Sequence, residues 1–359
     1  LHPRVRRQRQ MCIRDRSYIM LGLGWVLKLM YTITSNYGIA IILFTIIIKL
    51  ILMPLTVKQQ KSMLKTQKLQ PLLMEIQKKY GNDKDKLNQE TMKLYQKYKI
   101  NPMSGCLPML IQLPILLALY WVVKKPIIYI MGVGGSDVWR IVSAIEDWGA
   151  GNPDAVNQLL SSMKIDSLNV FVEQQFKNFG QYEIQIARFL HEYPAIMNSH
   201  WITDTGITYT LIDFNFFGID LSATPDLWGL IGLITGKLPE GGITWNTIGL
   251  WLIPIIAGGS SYLTSKLTQA MQPPQPVQKD ENGMEKPNPM KTMMIMMPLF
   301  SAWIAFTMPA AIGFYWILSS ILQLVQQIAI NKVANVDLTD DIVKEEMENA
   351  KKNRKKRKK

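Results

Sequence analysis

Cysteine is nearly absent, with Cys12 and Cys106 the two among 359 residues. That is too few for a disulfide framework, and no zinc-ligand spacing surrounds either one. Histidine is as scarce: His191 and His200 stand nine residues apart with no ligand pattern, so no metal site is expected. No G-x-x-x-x-G-K-[ST] run occurs, because Gly236-Lys237 lacks both the upstream glycine and the following Ser or Thr. The cluster Gly132, Gly134 and Gly135 is too weak for a phosphate cradle and reads as a loop. No nucleophile stands beside a general base in a readable arrangement. These absences exclude a disulfide scaffold, a zinc module and a nucleotide motor, and they leave an enzymatic reading without support. Neither cofactor nor catalytic residue is expected.

Charge is also short, at 19% of residues against about 25% in soluble domains. What charge there is lies in clumps. The remainder is apolar: 48% of residues are hydrophobic and the mean hydropathy is +0.05. Long stretches carry almost no charge, which excludes a disordered chain.

A membrane span needs about 20 mostly apolar residues. Five stretches qualify: 37–57, 105–123, 245–265, 292–308 and 310–330. Only Pro309 separates the last two, which predicts a tight helical hairpin. The expectation is an all-α integral membrane protein. Residues 17–36 are apolar with a narrow polar stripe at Gly24, Lys28, Thr32 and Ser35, a helical spacing. They read as an amphipathic interfacial helix on the outer surface, with an extra span or uncleaved signal as the alternative. Residues 1–16 carry six Arg in a chain that elsewhere prefers Lys, and "MCIRDR" resembles translated adapter sequence. They are set aside as a non-native scar, the alternative being a genuine basic leader.

Orientation follows from lysine. Segment 58–101 holds eleven Lys against four acids, and the tail from Lys332 holds ten basic residues against six acids. Segment 124–244 holds seven basic against thirteen acidic residues. By the positive-inside rule the first and last of these are cytoplasmic, and 124–244 is outside. Lys124 and Lys125 go against that assignment. The N-terminus is then outside and the C-terminus cytoplasmic.

Segment 58–101 reads as a helical hairpin. Leu69, Leu72, Leu73, Ile76 and Tyr80 make one apolar seam, Gly81-Asn82-Asp83 the turn, and Leu87, Thr91, Leu94 and Tyr98 the facing seam. The outer loop 124–244 is mostly helical in pattern, and "FNFFGIDLSATPDLWG" is expected to return the chain to the membrane surface. Residues 266–291 form a Pro-rich cytoplasmic loop and 331–359 a basic tail.

The informative residue is Lys49. It lies about 12 Å of helix rise from the cytoplasmic end of the first span. A charge at that depth costs about 2.5–3.5 kcal/mol on insertion scales and belongs beside a polar interior. Snorkelling to the surface is the alternative. Gln112, Ser260, Ser261, Thr264 and Gln323 are polar residues of other spans. With Lys49 they are candidates to line a polar concavity. Singly, each reads as a helix-packing residue.

Four stretches carry a family resemblance: "YGIAIILFTIIIKLILMPLTVKQQKSM", "LQPLLMEIQKKYGNDKDKLNQETMKLYQKYKINPMSGCLPMLIQLPILLALY", "PIIAGGSSYLTSKL" and "MMPLFSAWIAFTMPAAIGFYWILSSILQLVQQ". The chain resembles the YidC/Oxa1/Alb3 family of membrane protein insertases, in the Gram-positive, clostridial-like form. The resemblance implies five transmembrane helices enclosing a hydrophilic groove open to the cytoplasm and lipid, with a cytoplasmic helical hairpin. It implies a groove cation, here Lys49 where Arg is usual, and a groove aromatic at Trp316 with Tyr315 beside it. It places a third-helix groove position at Thr264. Nascent membrane proteins would be the substrates, without nucleotide hydrolysis, either Sec-independently or assisting the Sec translocon. Ribosome contact would fall on Lys58, Lys61, Lys65, Lys78, Lys79, Lys84 and Lys86 and on Lys355, Lys356 and Arg357 of the tail. Anionic lipids are expected partners, DNA is not, and the location implied is the bacterial plasma membrane. A secondary transporter or channel with Lys49 as counter-ion is the alternative, and a passive ribosome tether is a third. The outer loop is longer than the family pattern.

Overall fold

A computed structural model of the chain describes residues 20–80, 83–98, 107–134, 137–173, 179–204, 209–237, 242–270 and 289–333. Residues 1–16, set aside above, the hairpin turn at 81–82, most of the Pro-rich loop and most of the basic tail lie outside the described residues.

Helix α1 is Met20–Thr34, and α2 is Tyr37–Lys68. Next come α3 (Gln70–Tyr80) and α4 (Lys84–Lys97). Helix α5 is Leu107–Lys124. The long segment that follows holds α6 (Val138–Gly149), α7 (Pro153–Met163), α8 (Asn169–Glu173), α9 (Glu183–Glu192) and α10 (His200–Thr203). It closes with β1 (Asn215–Phe216), β2 (Ile219–Asp220) and α11 (Leu227–Ile234). Then come α12 (Trp245–Ala270), α13 (Pro289–Thr307) and α14 (Ala310–Val333).

Three stretches are long and apolar enough to cross a membrane: Tyr37–Thr66, Trp245–Leu267 and Ala310–Ile330. Gln112–Lys124 of α5 and Pro298–Thr307 of α13 are shorter apolar pieces among the described residues. Three of the five expected spans therefore have the length and apolarity to cross among the described residues, and α5 and α13 contribute the shorter pieces. Helix α2 runs past the expected end of the span at residue 57 and continues without interruption to Lys68. Its last two turns are polar but contain no Gly or Pro, so no local signal stops it. Pro54, Pro114, Pro254 and Pro298 sit inside α2, α5, α12 and α13, each freeing one backbone carbonyl.

The chain divides into two compact units. Unit 1 holds 1–47, 114–257 and 302–318. Unit 2 holds 48–113, 258–301 and 319–359.

Unit 1 has a dense apolar core. Helix α6 buries Val138, Ile141, Val142 and Ile145, the spacing of one helix face. Helix α9 presents Ile186, Ala187 and Leu190 in the same way. Phe171 and Phe179 meet edge-on at 5.5 Å. Glu183 is fully buried at the start of α9, and its Oε2 accepts the Ile128 N–H at 3.1 Å. Burial pushes its carboxyl up to about 7, with the Ile128 N–H and the Lys125 charge pulling it back down.

The one departure from an all-α reading among the described residues is the hairpin β1–β2. Its register pairs Asn215 with Asp220 and Phe216 with Ile219. Phe217 and Gly218 form the two-residue turn, with φ of 52° and 80°. The hairpin lies over the starts of several helices. A side chain at Gly38 of α2 would collide with the Phe216 ring. The Asp220 N–H donates to Asn246 Oδ1 of α12 at 2.9 Å. The Ala310 and Ala311 N–H groups of α14 donate to the carbonyls of Ala223 and Leu221, each at 2.8 Å. Those are two of the donors a helix start leaves unpaired. Gly313 lets α14 approach α12, since a Cβ there would lie 2.7 Å from Ile253 Cγ2.

The polar stripe of α1 faces protein rather than water at two of its positions. Gly24 packs on Tyr129, and Lys28 Nζ donates to the Met131 carbonyl at 3.3 Å. Leu21, Trp25, Leu29 and Ile33 are left exposed at four-residue spacing.

In unit 2, α3 and α4 pack together. Leu69 and Leu72 are buried, with Leu94, Tyr95 and Tyr98 packed against them. Asp83 caps α4 by accepting the Lys86 N–H at 3.1 Å, and that bond and the Lys86 charge hold its carboxyl below the usual range.

Candidate functional site

Six of the eight candidate groove residues belong to unit 2: Lys49, Gln112, Ser260, Ser261, Thr264 and Gln323. Tyr315 and Trp316 belong to unit 1. Lys49 is half-buried on α2, and among the described residues no carboxylate pairs with it. Gln112 is half-buried near the start of α5.

Ser260, Ser261 and Thr264 sit on successive turns of α12 and are half-buried. Thr264 Oγ1 donates to the Ser260 carbonyl at 2.8 Å, which ties the hydroxyl back to its own helix. Ser261 Oγ is buried without a hydrogen-bond partner among the described residues. A side chain at Gly259 would meet nothing within 4 Å, so the helix borders open space there.

On α14, Gln323 is exposed, while Ser319, Ser320 and Gln327 are the buried polar residues. Tyr315 is 1% exposed and packs against Phe44 with ring centroids 6.4 Å apart, so it serves the apolar core of unit 1. Trp316 beside it is half-exposed.

Sequence reading missed Gln59, which is 5% exposed with neither side-chain polar atom partnered among the described residues. It was assigned to the hairpin, outside the first span, because the apolar run ends at residue 57. It also missed Ser319, Ser320 and Gln327. Ser320 and Gln327 are seven residues apart, two turns on one face, and that spacing was the available signal.

Of the candidate contact lysines, Lys58, Lys61, Lys78, Lys79 and Lys86 are exposed and Lys65 is half-buried. Lys86 pairs with Asp83 at 3.0 Å, and that partner raises its pKa. The side chain of Lys84, and all of Lys355, Lys356 and Arg357, lie outside the described residues. Among the described residues no cluster of His, Cys, Asp and Glu is arranged to hold a metal ion.

Comparison with known proteins fits this picture. The family described as "60Kd inner membrane protein" matches residues 29–337. A Fusobacterium nucleatum protein named "Membrane protein insertase YidC" is 53% identical over 178 residues, 48% of this chain and 82% of that protein. One of the same name from Caldanaerobacter subterraneus is 28% identical over 309 residues, 86% of this chain and 92% of its own length. A third of that name, from Syntrophus aciditrophicus, is 56% identical over 94 residues, and the chain spans 17% of that longer protein. The match covers the helices and the polar positions described above, and the chain belongs to the 60Kd inner membrane protein family, the YidC/Oxa1 group.

Proposed function

We propose that this chain is a membrane protein insertase and chaperone that works through the polar interior of unit 2. The observation that carries the reading is what that unit buries: Gln59, Ser301, Ser319, Ser320 and Gln327, with Lys49 half-buried and unpaired among the described residues. In hydrocarbon, a hydrophilic segment must leave its polar groups unsatisfied, at several kcal/mol each. Hydroxyl and amide side chains set into the helices offer partners along part of that path, and Lys49 attracts an acidic segment. The substrate's apolar helix then leaves sideways into lipid. Its partitioning, with the membrane potential acting on acidic residues, supplies the free energy. The mechanism forms and breaks no covalent bond, so it needs neither a catalytic residue nor nucleotide.

The charge distribution supports a plasma-membrane orientation with the N-terminus outside and the C-terminus in the cytoplasm. The lysines from Lys58 to Lys86 and the basic tail then meet the ribosome, whose RNA carries the opposite charge. The same face suits anionic lipids and co-operation with the Sec translocon.

The test is insertion in liposomes by purified protein, without ATP or Sec components. The substrate is a single-span protein with an acidic outer segment, and the readout is protease protection of that segment. Protection should require the protein, fall several-fold with Lys49→Ala and recover with Lys49→Arg. Equal protection in empty liposomes would sink the insertase reading. Equal protection by the Lys49→Ala protein would reduce Lys49 to a snorkelling residue.

A further inference from the structure

Helix α11 has an unusual composition for a segment of the long loop. Residues 227–236 read LWGLIGLITG, without a charge, and the helix buries none of its residues. Its outward face is Trp228, Ile231 and Ile234, with Trp228 and Ile234 each 79% exposed. Left in water, that face would be a costly apolar patch.

Two hydrogen-bonding features say what covers it. Trp251 Nε1 of α12 donates to the backbone carbonyl of Asp226, the residue before α11, at 2.8 Å. Trp251 lies six residues past the start of α12, about 9 Å down the helix. Helix α11 therefore starts alongside α12 and below its end rather than beyond it. The far end of α11 is closed on itself. The Lys237 N–H donates to the Gly232 carbonyl at 2.7 Å and the Gly236 N–H to the Leu233 carbonyl at 3.2 Å, with Gly236 at φ 84°. Thr235 Oγ1 donates to the carbonyls of Ile231 and Gly232. This closure gives the carbonyls of Ile231, Gly232 and Leu233 partners within the chain. Unit 1 exposes two further large apolar side chains, Trp245 and Phe217, joined by a bond from Trp245 Nε1 to the Phe217 carbonyl.

We propose that α11 is a lipid anchor: it is embedded in the membrane leaflet on the side of segment 124–244, with Trp228, Ile231 and Ile234 in contact with acyl chains. It holds the apolar-cored segment 137–204 at the bilayer surface without adding a span.

The test uses full-length protein with Cys12→Ser and Cys106→Ser. Single substitutions Trp228→Cys, Leu230→Cys, Ile231→Cys and Ile234→Cys are spin-labelled one at a time, with Asp154→Cys as a water-exposed control. Each is reconstituted in phosphatidylethanolamine and phosphatidylglycerol vesicles, and collision rates with oxygen and with a water-soluble nickel chelate are measured. Labels at 228, 231 and 234 should collide several-fold more with oxygen and several-fold less with nickel than the label at 154. The label at 230, on the half-buried face, should be below them in oxygen access. Nickel access at 228, 231 and 234 matching that at 154 would overturn the anchor, because the face would then be in water. Exclusion of both reagents at those three positions would also overturn it, because the face would then be covered by protein, such as a second copy of the chain. All the test positions are exposed or half-buried, so folding is preserved, and the readout does not depend on insertion activity.

Discussion

Among the described residues, unit 1 buries more than forty apolar side chains, from Leu27 to Tyr315, and three polar ones, Thr45, Glu183 and Ser222. Unit 2 buries four apolar side chains, Ile48, Leu69, Leu72 and Ile330, against five polar ones. Three membrane-spanning helices contribute to both, so helix propensity and span length do not separate the units. What separates them is what their helices hide. A core like that of unit 1 is dry and close-packed, and it supplies stability. An interior lined by hydroxyls and amides gives up that gain and holds polar partners for something else. On the function proposed above, unit 1 supplies stability and unit 2 handles substrate.

Removing a large ring from unit 1 should cost most. Phe171→Ala should destabilise by about 3–5 kcal/mol, the usual cost of emptying a packed aromatic site. It should lower the melting temperature and expose segment 137–204 to protease. Intact thermal stability in that variant would break the comparison at its strong end.

Glu183 should give the next effect, and it depends on pH. Its folded pKa is raised, so its contribution is complete below the ordinary carboxylate range and is lost as pH rises through about 7. The full loss is roughly 3 kcal/mol. The wild-type melting temperature should fall between pH 5 and pH 8, and the Glu183→Gln protein should lack that component. A Glu183→Gln protein with the same fall would remove Glu183 as its source.

Gly313→Val puts a branched side chain against Ile253 and should cost about 1–3 kcal/mol, read by denaturation in detergent. The smallest stability change is expected where function should suffer. Gln59→Leu replaces a buried amide of unit 2, whose polar atoms find no partner among the described residues, with an apolar group of similar size, and the melting temperature should stay level or rise. Liposome insertion of an acidic substrate should nonetheless fall. A marked loss of stability in Gln59→Leu would mean that unit 2 relies on its polar groups as a core does, and the division of labour would fail.

Much of this was legible because it is local. Apolar run length located α2, α12 and α14, and 3/4 spacing found Leu69, Leu72, Leu94 and Tyr98 of the packed hairpin. Lys49 was visible as a charge where charge is expensive. The rest depends on partners distant in sequence. Nothing near Tyr315 announces Phe44 as its neighbour, so a residue marked for a groove lies in a core. The turn Phe217-Gly218 lacks the Asn-Gly signature that would have announced a hairpin. Helix α2 has no stop signal at its membrane end, so Gln59 was placed outside the span. The apolar face of α11 was readable, but the bond that ties its start to Trp251, 25 residues on, was not.

The carbonyls of Leu221 and Ala223 that receive the first N–H groups of α14 also have a consequence in time. A chain is made from its N-terminus, so these acceptors exist before Ala310 is added. The last helix is completed against a template laid down earlier, and its first turn finds partners only once segment 214–223 has reached its place. The start of the last helix is thus fitted to a surface that the chain has already made by the time that helix is added.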